Sequence, residues 1–177
     1  MTKKVAGTRL LAAGVGALVL LAGTGCAARD RMAYSIDGAV TTIAQVQTMA
    51  DSCQKAWKGT LYSESTQWIV NAMIRSDLAY LVAKAQAVAY DDATLTQQLQ
   101  AGQLGEQAQA MMADPGCAGL AVGLGVDALA SYELGSGQYA AAVGQHSLVL
   151  NPRFGTWDGN RGLVGGTGSM SSPDTGR

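Results

Sequence analysis

The chain has 177 residues with 12 basic and 13 acidic side chains, a mean hydropathy of +0.12 and an apolar content dominated by small and aliphatic residues, with a single Phe. That is one domain's worth of sequence with a helical composition and a light core. No basic patch points to nucleic acid, one histidine cannot furnish a histidine-rich metal site, and no C-x-x-C pair offers redox chemistry.

The N-terminus carries Lys3, Lys4 and Arg9, then an apolar and Gly stretch from Leu10 to Ala22, then Gly23-Thr24-Gly25-Cys26. A positive start, a short greasy run and a small-residue boundary form the pattern of a bacterial export signal. Those thirteen residues would span only about 20 Å as a helix, short of the roughly 30 Å hydrocarbon core, so a permanent transmembrane helix is the poorer reading. The small residues before Cys26 resemble a lipobox, which implies residues 1–25 as a lipoprotein signal peptide and 26–31 as a lipidated linker. The expected location is the extracytoplasmic face of the cell membrane, with the bilayer as partner through acylated Cys26. Plain export with Cys26 unmodified is the other reading. From Cys26 onward nine basic residues face thirteen acidic ones, a formal charge of −4.

Setting Cys26 aside leaves Cys53 and Cys117, each on the apolar side of a predicted helix. In an oxidising compartment they are candidates for a disulfide. The bridge would close a loop of about 65 residues, worth on the order of 4 kcal/mol in the chain-entropy model. The alternative is two buried thiols acting as small hydrophobes.

Residues 32–42, MAYSIDGAVTT, read as strand, Asp37-Gly38 turn and strand, because Asp-Gly accepts the positive φ angles of a tight hairpin. Thr41 or Thr42 then caps a helix whose apolar stripe is Ile43, Val46, Ala50, Cys53 and Trp57, ended by Lys58-Gly59. The next helix is expected from Ser63–Ser65 to about Tyr90, apolar on so much of its surface that it should contact several neighbours. Asp91 or Asp92 caps a short helix ending near Gly102, and another runs from Leu104 to Asp114. After the Pro115-Gly116 break a last helix is predicted over 117–134, in which Gly119, Gly123 and Gly125 either permit close packing or mark an irregular segment. Gly135-Ser136-Gly137 reads as a loop, QYAAAVGQ is ambiguous, and HSLVLNP reads as a strand stopped by Pro152. Residues 158–177 are Gly- and Ser-rich with little to bury, so a disordered tail is expected there.

The carrying residues of a family resemblance are Ala33-Tyr34-Ser35-Ile36-Asp37-Gly38 before the 42–57 helix, then Tyr90-Asp91-Asp92-Ala93-Thr94-Leu95, and finally Leu148-Val149-Leu150-Asn151-Pro152-Arg153-Phe154-Gly155. In that order they resemble the N-terminal domain of SurA-type periplasmic chaperones, over most of the chain after Cys26. The resemblance implies a mainly α domain over residues 32–157, with a short N-terminal hairpin and a late strand pairing back onto it. It also implies an apolar concavity that holds extended or unfolded polypeptides. Family members of the full type carry parvulin prolyl-isomerase domains, whereas 24 residues follow Arg153 here, so isomerase activity is not expected.

The chemistry-bearing residues agree with a non-enzyme. His146 reads as a surface or satisfied imidazole within the predicted strand, Asp91-Asp92 as a helix start, and Gly165-Gly166-Thr167-Gly168 lacks the strand-to-helix context of a phosphate loop. No cofactor or metal is implied. For polypeptide binding the candidates are Met49, Met73, Met111 and Met112 together with Trp57, Trp68, Tyr80 and Tyr132; ordinary core packing is the competing account of each. Asn151, Pro152, Arg153, Phe154, Gly155 and Trp157 read as a structural closing motif, with Phe154 and Trp157 packed on the body and Arg153 paired with an acid. Two functions follow: a membrane-anchored, ATP-independent chaperone or foldase-like module, or an envelope scaffold lipoprotein that docks one protein partner.

Overall fold

Five residues near the start, Met32–Ile36, form strand β1, and they must be paired on both sides because four of them are buried. On one side β1 meets β2 (Ala39–Thr42) through a two-residue turn in which Asp37 and Gly38 take φ of 51° and 86°, the positive angles the Asp-Gly pair supplies. On the other side it meets β3 (Leu148–Leu150), giving an antiparallel sheet of order β2-β1-β3 with Tyr34 opposite Leu150 and Ile36 opposite Leu148. The computed structural model describes residues 31–57, 66–101, 105–159 and 162–164. Within them the protein is mainly α-helical, and the late strand does return to the early one.

Helix α1 (Ile43–Trp57) starts at Thr42 through a reciprocal cap. The Gln45 N–H donates to Thr42 Oγ1 at 3.2 Å, and the Thr42 N–H donates to Gln45 Oε1 at 2.7 Å. Its buried stripe includes Val46 and Cys53. Helix α2 (Thr66–Ala85) is the central element, burying nine residues from Ile69 to Ala83 and touching α1, β1, the later helices α5 (Ala118–Leu134) and α6 (Ser136–Val143), and strand β5 (Gly162–Val164). It stops five residues before the expected Tyr90. Ala87 adopts φ 53°, and the Val88 N–H closes back on the Ala83 carbonyl at 2.9 Å, a left-handed cap formed without glycine. Helix α3 (Asp92–Ala101) takes Asp91 rather than Asp92 as its cap, the carboxylate accepting from the Thr94 N–H at 2.8 Å. Helix α4 (Gly105–Ala113) precedes the Pro115-Gly116 turn, and α5 (Ala118–Leu134) follows it.

The three glycines of α5 do different things. A Cβ on Gly123 would lie 1.7 Å from Ser76 Oγ, and one on Gly125 would lie 3.2 Å from Leu99, so these two admit α2 and α3 to close approach. Gly119 faces open space.

Two expectations are corrected downstream. The segment 117–134 is not the last helix, because α6 (Ser136–Val143) begins directly after Gly135, whose φ of 73° turns the chain in one residue. Ser136 and Gly137 therefore belong to a helix, not a loop. The expected disordered tail from 158 instead begins as a hairpin in which β4 (Thr156–Asp158) pairs with β5 (Gly162–Val164), so the boundary at 157/158 falls inside a strand. Glycine serves the hairpin here: Gly162 has φ of 76° and lies where a Cβ would meet Asn71 Oδ1 of α2 at 2.5 Å. The Lys58-Gly59 stop, the Ser63–Ser65 start and Gly102 lie outside the described residues.

Cys53 of α1 and Cys117, which precedes α5, are both fully buried and joined by a disulfide with Cα atoms 5.0 Å apart and a sequence separation of 64. The bridge reading therefore holds over the two-thiol reading. Replacing both cysteines by Ala should lower unfolding free energy by about 4 kcal/mol, read as a lower urea midpoint. In the same assay Gly123→Ala should cost about 1–3 kcal/mol through overpacking against Ser76, while Gly119→Ala should be neutral or slightly stabilising.

Candidate functional site

The expected methionine and aromatic candidates do not share one surface. Met111 is fully buried in the main core. Met49, Trp68 and Met73 are half-buried and pack against that core, and the Met49 thioether lies 3.8 Å from Cys53 Sγ. Met112 is 44% exposed on α4, and Tyr132 is 74% exposed on α5. Trp57 ends α1, with its side chain outside the described residues, as is Cys26. For Met111 the ordinary packing account is the one the geometry supports; its side chain offers nothing to a ligand.

Tyr80 is the exception, because it borders an open groove of about 380 Å³ beside strand β2. The walls come from Ala39, Val40 and Thr41 of the strand and Asp77, Tyr80 and Leu81 of α2. Val40 is 55% exposed, and β2 is one of the two edges of its sheet. Beneath this groove the fully buried Tyr34 donates from its hydroxyl to Asp77 Oδ2 at 2.6 Å, which fixes β1 to α2. Burial, with the Asp77 charge beside it, pushes the Tyr34 phenol far up, so it remains a donor; desolvation raises the Asp77 carboxyl as well.

At the groove's turn end, Asp37 Oδ2 sits 2.7 Å from His146 Nδ1, and Asp37 Oδ1 accepts from the Ser147 N–H at 2.8 Å. His146 thus lies in the turn before β3 rather than within the strand, and it is bonded to the hairpin tip. The closing motif works at the opposite end of the ladder. Asn151 donates from its amide to the Met32 carbonyl at 2.8 Å, next to the register shift in β1, and accepts from the Arg153 N–H at 3.1 Å. Pro152 opens a short 3-10 turn, Gly155 leaves it at φ 113°, and Phe154 is fully buried. Trp157 follows on β4, half-buried against the core.

A second cavity, of about 280 Å³, lies between α2, α5, α6 and the β4–β5 hairpin. Its polar centre is Asp127, only 3% exposed, which accepts from Arg75 of α2 and from the Tyr139 hydroxyl of α6. Burial and the Asp127 charge push the Tyr139 phenol up, so it stays protonated and donating. None of these three was singled out from sequence, although an acid inside the apolar run Leu124-Gly125-Val126-Asp127-Ala128-Leu129 was the available signal. Among the described residues no group of His, Cys, Asp and Glu could hold a metal ion, and no helix is long and apolar enough to cross a membrane.

No family model, curated protein or solved structure compared with the chain matches it.

The hydrogen bonds from His146 and Ser147 hold the Asp37 carboxyl below its ordinary value. An acid whose pKa falls on folding stabilises the native state above the unfolded value and loses that contribution as pH drops through the depressed one. Stability should therefore decline from about pH 4 downward, and Asp37→Asn, which keeps the tolerance for positive φ, should remove that part of the decline in acid-titrated denaturation curves.

Proposed function

We propose that this chain is a membrane-tethered, non-catalytic module of the SurA N-terminal kind that binds extended or unfolded polypeptide without ATP. The observation that carries the reading is the β2 edge lying beside the apolar groove of Val40, Tyr80 and Leu81. An extended segment laid along β2 would take main-chain hydrogen bonds from the edge strand, while alternate side chains enter the groove. Main-chain bonding is indifferent to sequence, and the groove asks only for apolar side chains, so the combination suits many clients of low individual affinity.

The order of elements supports the family reading: an early hairpin, a helical body, and a late strand with an Asn-Pro closing turn that returns to β1. Tethering rests on the lipobox-like segment at Cys26, where a diacyl modification would anchor the chain stably at the outer face of the membrane. An envelope scaffold docking one folded partner is the second reading, favoured by Tyr132, an isolated aromatic standing 74% exposed on α5.

Aggregation of a chemically denatured client, followed by light scattering, separates the two. The protein should suppress it at near-stoichiometric amounts, and the Val40→Asp, Leu81→Glu double variant should lose most of that protection while keeping its helical circular dichroism. Absence of protection by the unaltered protein overturns the chaperone reading, and undiminished protection by the variant moves the binding surface away from β2.

A further inference from the structure

The cavity around Asp127 shares no lining residue with the β2 groove and is unused by the proposed polypeptide binding. We propose that it is a binding site for a neutral, hydroxyl-rich ligand the size of one sugar ring.

Size sets the first limit. About 280 Å³ corresponds to roughly nine waters at about 30 Å³ each, room for a single ring but not for an extended chain.

Charge sets the second. Both oxygens of the buried Asp127 are engaged, one by Arg75 and one by Tyr139, so the two formal charges that the described residues bring to the site cancel. An incoming anion would find the Arg75 charge already matched and a carboxylate behind it. An incoming cation would find that carboxylate buried and occupied. Neither gains enough attraction to offset its own desolvation, whereas a neutral polar molecule loses little on entry.

The hydrogen-bonding groups then select the kind of neutral molecule. Arg75 is half-exposed at the cavity wall, with more N–H groups than its Asp127 contact uses, and Ser131 adds a hydroxyl that both donates and accepts. Ligand hydroxyls are likewise donor and acceptor at once, so they satisfy this mixed set where an amine or a carboxylate satisfies half of it. Leu78, Val143 and Trp157 line the remainder, and an indole attracts the weakly positive C–H groups on the apolar face of a sugar ring. The hairpin that carries Trp157 is held near α2 by the close approach of Gly162 to Asn71, so this wall is built before any ligand arrives.

Calorimetric titration with monosaccharides at pH 6 tests the assignment. Glucose, galactose and mannose serve as neutral probes, and glucosamine and glucuronate carry a positive or negative charge on the same ring. At least one neutral sugar should bind saturably with a Kd on the order of millimolar, and its charged counterparts should bind at least about fivefold more weakly. Trp157→Leu should weaken binding by about tenfold or more. Because that change could also disturb the core, Ser136→Trp, at an exposed helix start lining the cavity, should abolish binding by filling the space with the fold intact. The proposal is overturned if no neutral sugar binds up to about 50 mM, a level well above a millimolar Kd. It is equally overturned if either charged sugar binds as tightly as the neutral ones, or if Ser136→Trp binds them normally.

Discussion

A buried strand must have both of its edges hydrogen-bonded, and in this protein that requirement falls on Met32–Ile36. One edge is satisfied locally by the Asp37-Gly38 hairpin. The other recruits Leu148–Leu150 from more than a hundred residues away, so the two ends of the domain meet in one sheet. Tyr34 adds a third direction, since its hydroxyl reaches Asp77 and sets the height of the sheet over α2. Asn151 completes the arrangement by supplying the Met32 carbonyl with a donor where the ladder changes register. With β1 committed on both sides, β2 and β3 are left as the two sheet edges, and the groove between β2 and α2 is what makes β2 the proposed polypeptide site.

The helical body solves a different problem, a core with a single Phe and many small residues. Small side chains bury little area each, so stability must come from close backbone approach and from covalent closure. Gly123 against Ser76 and Gly125 against Leu99 supply the first, and the Cys53–Cys117 bridge between α1 and the start of α5 supplies the second. The same closeness of α2 and α5 brings Arg75 onto Asp127. A buried carboxylate is tolerated there because it is matched by a guanidinium and a phenol, and the shell of polar groups around it gives the second cavity its chemistry.

How much of this was legible in the sequence varied with the physics of each element. The hairpin was readable because Asp-Gly encodes its own turn, and α1 because a Thr cap and a single apolar stripe agree. The end of α2 was not, since Ala87 takes a left-handed conformation that its residue type does not announce. Glycine and serine misled twice in the same direction: Gly135-Ser136-Gly137 and the segment after 158 have loop composition, yet Ser136 and Gly137 open a helix while staying exposed, and the other segment supplies β5, which pairs back onto β4. Methionine placement was beyond local pattern altogether. Met111 and Met112 are adjacent in sequence, and only the packing of α4 decides that the first is core and the second 44% exposed. The Arg75–Asp127–Tyr139 cluster joins three helices, so no single stretch of sequence contains it, although a lone acid within an apolar helix was a signal in plain view.

The proposed mode of binding requires the outer edge of β2 to receive polypeptide while β1 stays locked. Amide hydrogen exchange measured residue by residue, with and without a permanently unfolded client, addresses both halves in one experiment. Slow exchange is expected throughout 32–36 in either condition, with fast exchange at the outward-facing amides of 39–41 that slows markedly when the client is present; the Thr42 N–H is already held by Gln45. Unchanged exchange across 39–41 in a sample where the client is demonstrably bound would contradict that mode of binding.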